Sequence, residues 1–226
     1  MTTLALASSW LTVVGLIAVC FAIAGRLLVQ RRQLAGLVAA LELANERTAA
    51  YAREMERQAL EDTLTGLHNR RYMNAELPRE LERTRRFGRQ LSLAILDIDD
   101  FKVINDRYSH QVGDRVLAEL ARLLRATCRS MDGIVRYGGD EFVLYFPETP
   151  PAAGRTTCQR LLARVRAHHW AGLEPGLRVS LSIGLASTRD AGNVEGLLEA
   201  ADHRLRQAKQ AGKNRLAAGP SLVRVA

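Results

Sequence analysis

Two residues without side chains, Gly138 and Gly139, run directly into two carboxylates, Asp140 and Glu141. Acids set beside glycine suit a bulky anion, because the missing Cβ lets a ligand come close to the backbone. A second acidic set stands upstream, where the largely apolar run 91–96 ends in Asp97, Ile98, Asp99 and Asp100. If the two sets meet, their charges require cations, since neighbouring carboxylates resist ionising together. Oxygen-only ligands select a hard divalent ion, Mg2+ or Mn2+, over zinc. Magnesium commonly takes one or two carboxylates together with the phosphates of a nucleotide. The chemistry these residues suit is metal-assisted handling of a polyphosphate. Each part also has a plainer reading. Gly-Gly is a common hairpin loop, and Asp99 and Asp100 would serve equally as a helix cap and a first-turn acid.

Bringing these acids together requires a hairpin and a buried strand side by side. Ile134 and Val135 lead into the glycines and residues 142–146 lead away, so 133–146 is expected as a β-hairpin with both glycines at the positive φ of a primed turn. Residues 91–97 form the neighbouring strand. Asn69 caps a helix to about Phe87, in which Pro78 forces a kink or a break. A short helical stretch follows at 101–106. A longer helix is expected over 114–128, with Val116, Leu117, Leu120, Leu123 and Leu124 on one face and Asp114 as its N-cap. Helices over 152–169 and 194–211 flank a strand at 178–187. Helices alternating with strands and a hairpin predict an α+β fold, a central mostly antiparallel sheet with surrounding helices.

With the elements laid out, several ordered motifs share one likeness. Residues 62–71 read DTLTGLHNRR, 97–106 read DIDDFKVIND, the hairpin reads GGDEF, Ser182, Ile183 and Gly184 form a further short motif, and 208–215 read AKQAGKNR, with His110, Gly113 and Asp114 between. Over residues 62–215 the chain resembles the GGDEF family of diguanylate cyclases. The resemblance implies a nucleotidyl-cyclase-like GGDEF fold that joins two GTP, one per subunit of a homodimer, into cyclic di-GMP and two pyrophosphate. It also implies roles. Asp97 and the Ile98 carbonyl hold the cation, and Asp140 and Glu141 complete the metal site as the catalytic acids. Gly138 and Gly139 border the substrate, Asn105 and Asp114 read the guanine edge, and Lys102, Lys209 and Lys213 neutralise the triphosphate. Arg129 and Asp132 precede the hairpin at the spacing of the family's inhibitory product site, with Arg160 a further candidate, so product feedback is expected. Lys213 stands where the family usually has arginine, Ser109 where it commonly has glycine and Arg206 where an aromatic is common. Arg136 reads as a strand-end arginine paired with a surface acid. The alternative is a non-catalytic membrane-anchored receptor for GTP or cyclic di-GMP; loss of a metal carboxylate would favour it, and none is lost.

The remaining sequence bounds the setting. A length of 226 residues with 47% hydrophobic content allows one ordinary domain plus an appendage. The formal charge of +8 is spread along helical faces without an aromatic-interleaved basic patch, so no nucleic acid is expected as a partner. Cys20, Cys128 and Cys158 have neither disulfide-framework nor metal-ligand spacing. Leu4 to Gly25 carries no charged side chain and Arg26, Arg31 and Arg32 follow, so 1–25 is expected as a transmembrane helix. This implies a single-pass protein of the inner membrane, in contact with the lipid bilayer, with its catalytic domain in the cytoplasm. Residues 26–61 are expected as a helical linker in which Leu34, Leu37, Leu41, Ala44, Thr48, Tyr51 and Met55 follow coiled-coil spacing and favour a homodimer. The catalytic domain is expected over 62–216 and a tail over 217–226.

Overall fold

The computed structural model describes the backbone of residues 2–219, with side chains at 15, 16, 19, 21, 23, 25–52, 54–56 and 58–219. Residues 220–226, most of the expected tail, lie outside the described residues. The first element is one long helix, α1 (Thr2–Leu60). Tertiary contacts divide the chain after Glu56.

The expectation of a transmembrane helix is corrected. Among the described residues no helix is long and apolar enough to cross a membrane. The described side chains of α1 start at Gly15. A span needs about 20 consecutive apolar residues; the side chains of 1–14 lie outside the described residues, and Arg26, Arg31 and Arg32 interrupt the described part of the helix. The single-pass inner-membrane placement goes with it. Further along α1, Leu34, Leu37, Leu41, Tyr51 and Met55 are exposed.

The second unit folds around a six-stranded sheet. In chain order its elements are β1 (His68–Asn69), α2 (Arg70–Arg86), β2 (Ser92–Ile98), α3 (Phe101–Tyr108), α4 (His110–Thr127), β3 (Gly133–Gly138), β4 (Glu141–Phe146), α5 (Pro151–Ala167), β5 (Leu181–Ser187), α6 (Val194–Gln210) and β6 (Leu216–Ala218). The strand order is β1-β3-β4-β2-β5-β6. The central pairings β3–β4, β4–β2 and β2–β5 are antiparallel, and β1 and β6 add to the two edges in parallel. The α+β architecture is the one expected.

β2 is buried along its whole length, and alternation divides its side chains between two cores. Ala94, Leu96 and Ile98 join Val116, Leu117, Leu120 and Leu124 of α4 and Leu161, Leu162 and Val165 of α5. Leu93 and Ile95 join Met73, Leu77 and Leu81 of α2 and Leu197, Ala201 and Leu205 of α6. Asp97 continues the second set, so the strand's period points it to the side where α6 lies. A Cβ at Gly184 of β5 would stand 2.0 Å from the Ala201 carbonyl oxygen and 2.3 Å from the Leu205 nitrogen. Only glycine lets α6 lie this close to the sheet.

Several boundaries differ from the sequence reading. Pro78 sits inside α2, whose Met73, Leu77 and Leu81 stay buried on one face on either side of it. α4 begins at His110, four residues before Asp114, so Asp114 is not its cap. What separates α3 from α4 is Ser109, at φ 100 and ψ 158. In the turn only Gly139 has a positive φ, 54°. A bulge between Arg136 and Gly138 absorbs the twist, and Gly138 pairs with Glu141.

Candidate functional site

The hairpin tip is held from behind by Arg136. Its Nε and Nη2 donate to the Gly139 carbonyl at 3.0 and 2.8 Å. Its Nη1 donates to both carboxylate oxygens of Asp62, at 3.0 and 3.1 Å. Asp62 also takes the Thr65 backbone N–H at 2.9 Å and its hydroxyl at 2.7 Å. Burial alone would raise the Asp62 carboxyl, but the hydrogen bonds from Thr65 and Arg136 outweigh it and hold the group below its ordinary value. Arg136 is thus the acid-paired arginine the sequence suggested. An added Cβ at Gly138 or Gly139 would meet nothing within 4 Å, so their backbone faces open space.

Across the sheet, Asp97 at the end of β2 pairs in register with Glu141, the first residue of β4. This register brings the two acidic sets together. Asp97 is 6% exposed, and the Lys209 ammonium of α6 lies 2.8 Å from its Oδ2. Burial pushes the Asp97 carboxyl up, Lys209 pulls it down, and the charges of Asp140 and Glu141 push it up again, to about 6. Among the described residues no three His, Cys, Asp or Glu side chains converge into a ready-made metal cage. The donor set of Asp97, the Ile98 carbonyl and Glu141 nevertheless fits a hard divalent ion, because such an ion is held by one or two carboxylates with phosphates and water completing its shell.

Asp99 and Asp100 take other parts. Asp99 is buried and accepts the hydroxyls of Ser180 at 2.7 Å and Ser182 at 2.6 Å, and the Asn214 N–H at 2.9 Å. It ties β2, the lead into β5 and the turn after α6 to one point. Asp100 occupies the cap position of α3 at φ 54 without a side-chain capping bond. Its Oδ1 takes Lys213 at 2.6 Å. Lys102 is exposed on α3 and Asp114 is exposed on α4. Asn105 is half-buried, and its Oδ1 has no hydrogen-bond partner. A Cβ at Gly113 would stand 1.9 Å from that oxygen, so glycine is what lets α4 pass so close.

Arg129 and Asp132 line a separate cleft of about 460 Å³ with Gly66, His68 and Arg125. The Arg129 N–H donates to Asp132 at 2.7 Å. Burial raises the Asp132 carboxyl above its ordinary value, while Arg129 and Arg160 act against that shift. Arg160 donates to the Thr127 carbonyl at 2.8 Å and is not among the residues lining the cleft.

The structure thus gathers Asp97, Ile98, Glu141 and Lys209 at the heads of β2 and β4, and Lys213 with Asp100 beside them. Sequence reasoning missed the anchoring role of Asp99 and its partners Ser180, Ser182 and Asn214. A signal existed in the two serines at alternate positions entering a buried strand, since a buried hydroxyl needs an acceptor.

Comparison with known proteins assigns the family. The model of the diguanylate cyclase GGDEF domain matches residues 59–215, and the chain belongs to the GGDEF domain family. The diguanylate cyclase DgcP of Pseudomonas aeruginosa is 41% identical over 169 residues, covering 74% of this chain and 25% of that protein. The diguanylate cyclase DgcS of Shewanella oneidensis is 39% identical over 169 residues, covering 74% of this chain and 55% of that protein. The chain therefore spans from a quarter to about half of the length of these curated relatives. Among solved structures, the coiled coil and GGDEF domain of DgcB from Caulobacter crescentus, in complex with c-di-GMP, superposes with a TM-score of 0.75 at 29% identity, covering 82% of this chain and 99% of that one.

Proposed function

We propose that this protein is a diguanylate cyclase that condenses two GTP into cyclic di-GMP and two pyrophosphate. The observation that carries the reading is the register of β2 on β4, which sets Asp97 opposite Glu141, with Lys209 2.8 Å from Asp97. Its relatives named as diguanylate cyclases support the same reading.

In this mechanism Asn105 and Asp114 take the guanine edge, the free Asn105 Oδ1 accepting a base N–H. Lys102, Lys209 and Lys213 neutralise the triphosphate, and Lys209 and Lys213 leave their aspartate partners for it. The bare backbone at Gly138 and Gly139 admits the α-phosphate. Asp97, the Ile98 carbonyl, Asp140 and Glu141 would hold a divalent ion, Mg2+ or Mn2+. When bound, that ion polarises the α-phosphate and eases ionisation of the 3′-hydroxyl. One hairpin carboxylate accepts the hydroxyl proton. The 3′-oxygen then forms its bond to the partner nucleotide's α-phosphorus as the bond to the β-phosphate oxygen breaks, releasing pyrophosphate. Each domain carries one GTP, so two domains act face to face, and the exposed heptad residues of α1 supply a seam for that homodimer. Arg129 and Asp132 form the product feedback site, with Arg160 adding positive charge.

The test is incubation of the full chain, at several protein concentrations, with GTP and Mg2+, beside an Asp140→Ala control. Cyclic di-GMP from the natural chain and none from the variant is the expected outcome. Absence of product at every concentration, with cyclic di-GMP or GTP still bound, would overturn the cyclase in favour of a nucleotide receptor.

A further inference from the structure

A cleft of about 750 Å³ lies between α3, the end of α5 and the lead into β5. Three guanidiniums line it, Arg107, Arg166 and Arg178, with Tyr108, Trp170 and Asn214 among its other walls. Elsewhere in this domain arginines commonly face carboxylates: Arg79, Arg115, Arg122, Arg136 and Arg204 each do. Among the described residues, the three in the cleft do not. Arg107 stacks on the Tyr108 ring at 5.2 Å. Arg166 donates to the Asn214 side chain at 2.9 Å and to the Asn214 carbonyl. Arg178 has no polar partner among the described residues. The two carboxylates on the cleft wall are already engaged, Asp99 by three donors and Asp100 by Lys213. Of the two histidines there, His168 faces Glu119 at 3.0 Å. Among the described residues the cleft thus sets three guanidiniums against one carboxylate not paired with a cation, Asp99, whose donors are neutral, and positive charge is in excess.

We propose that the cleft binds a small polyphosphate anion through Arg107, Arg166 and Arg178. Planar guanidiniums match phosphate oxygens in pairs, and several on one wall select an anion with more than one phosphate. The site is distinct from the candidate cyclase site: it shares the loop residues Asp99 and Asp100 but none of Asp97, Lys102, Asn105, Asp114, Glu141 or Lys209. Its occupation would act on that neighbour through one contact. Arg166 clasps Asn214, which with Lys213 makes two successive left-handed residues, at φ 50 and 58. Drawing Arg166 toward a phosphate loosens the turn that carries Lys213.

Calorimetric titration of the full chain with inorganic triphosphate in EDTA tests this without any reference to turnover. The variants are Arg178→Glu, Arg107→Gln, Lys213→Ala and the charge-matched Arg189→Glu, which lies beyond the other end of β5, about 20 Å away along the strand. Melting temperatures establish that each variant is folded. Affinity is expected to fall roughly tenfold or more in Arg178→Glu and severalfold in Arg107→Gln, to fall by less than in Arg178→Glu in Lys213→Ala, which bares the Asp100 carboxylate on the cleft wall, and to change less than about twofold in Arg189→Glu. A loss as large in Arg189→Glu would reduce the binding to net charge and overturn the site. Loss in Lys213→Ala with Arg178→Glu unaffected would move the anion to the candidate cyclase site, and no binding at millimolar triphosphate would also overturn the proposal. A second titration with ATP tells an inorganic anion from one carrying a nucleoside.

Discussion

Removing Arg136 should destabilise the domain, and its cost can be worked from its contacts. The Arg136 and Asp62 side chains are 15% and 23% exposed, between the exposed pairs worth about 0–1 kcal/mol and the buried ones whose breakage costs about 3–5 kcal/mol. Arg136→Ala also removes the two hydrogen bonds to the exposed Gly139 carbonyl, worth about 1 kcal/mol net. The sum is about 3 kcal/mol, or a fall in Tm of about 6–12 °C for a domain of this size. Arg136→Lys keeps the charge but has a single point of attachment, so it can serve Asp62 or Gly139 and should lose about half as much. Thermal and urea unfolding of the full chain at pH 7 would measure both variants. A cycle pairing Arg136→Met with Asp62→Asn should show a coupling of about 1–2 kcal/mol. The pH dependence has a defined sign. Because the Asp62 carboxyl is lowered on folding, its stabilisation is present above its unfolded value of 3.8 and is lost as pH falls through the lowered one. A fall in Tm below about 2 °C for Arg136→Ala, or full additivity in the cycle, would refute the account of the hairpin's support.

Asp97 carries the opposite sign. Its carboxyl rises from 3.8 to about 6 on folding, so in metal-free protein its contribution to stability is complete below 3.8 and is lost as pH rises through 6, a difference of about 3 kcal/mol. In EDTA, Asp97→Asn should therefore stabilise the protein at pH 8 and not at pH 4 in chemical denaturation. Divalent-ion affinity of the natural chain should weaken as pH falls through 6. Ser109 holds φ 100 and ψ 158, a region that suits glycine, so Ser109→Gly should raise stability by about 1 kcal/mol, seen as a Tm higher by about 2–4 °C. Arg129→Ala should leave the initial rate of cyclic di-GMP formation unchanged while reducing inhibition by added product, and an unchanged inhibition curve would place the feedback elsewhere.

How much of this was legible in sequence varied with the range of the interaction. The hairpin was readable because its signals are local: two glycines, two acids and apolar flanks within fourteen residues, 133–146. The meeting of Asp97 with Glu141 was readable only in outline, since register is set by the whole length of β2 against β4. β1 and β6 were not anticipated, because strands of two and three residues carry no measurable alternation. The start of α4 was misread for a physical reason. Asp114 read as the cap because an aspartate suits that position, whereas the helix starts at His110, Gly113 packs closely against Asn105, and the break lies at Ser109, whose unusual backbone no propensity announces. Asp99 read as a member of the acidic set or a helix-cap acid and is an anchor, which sequence could not show because its partners lie 81 to 115 residues away. The expected membrane helix rested on the absence of charge over 4–25 and did not survive comparison with the described helix.

The two short parallel strands at the rims of the sheet have a consequence for how copies of this protein meet. A long open rim is a row of unmet amides that recruits any similar rim nearby, and crowding makes that recruitment faster. Here β3 is covered at His68 and Asn69, and β5 along Leu216 to Ala218, so each rim is closed by a strand too brief to extend in turn. If two copies meet as the proposed cyclase requires, these short rims guard them against joining permanently through their sheets.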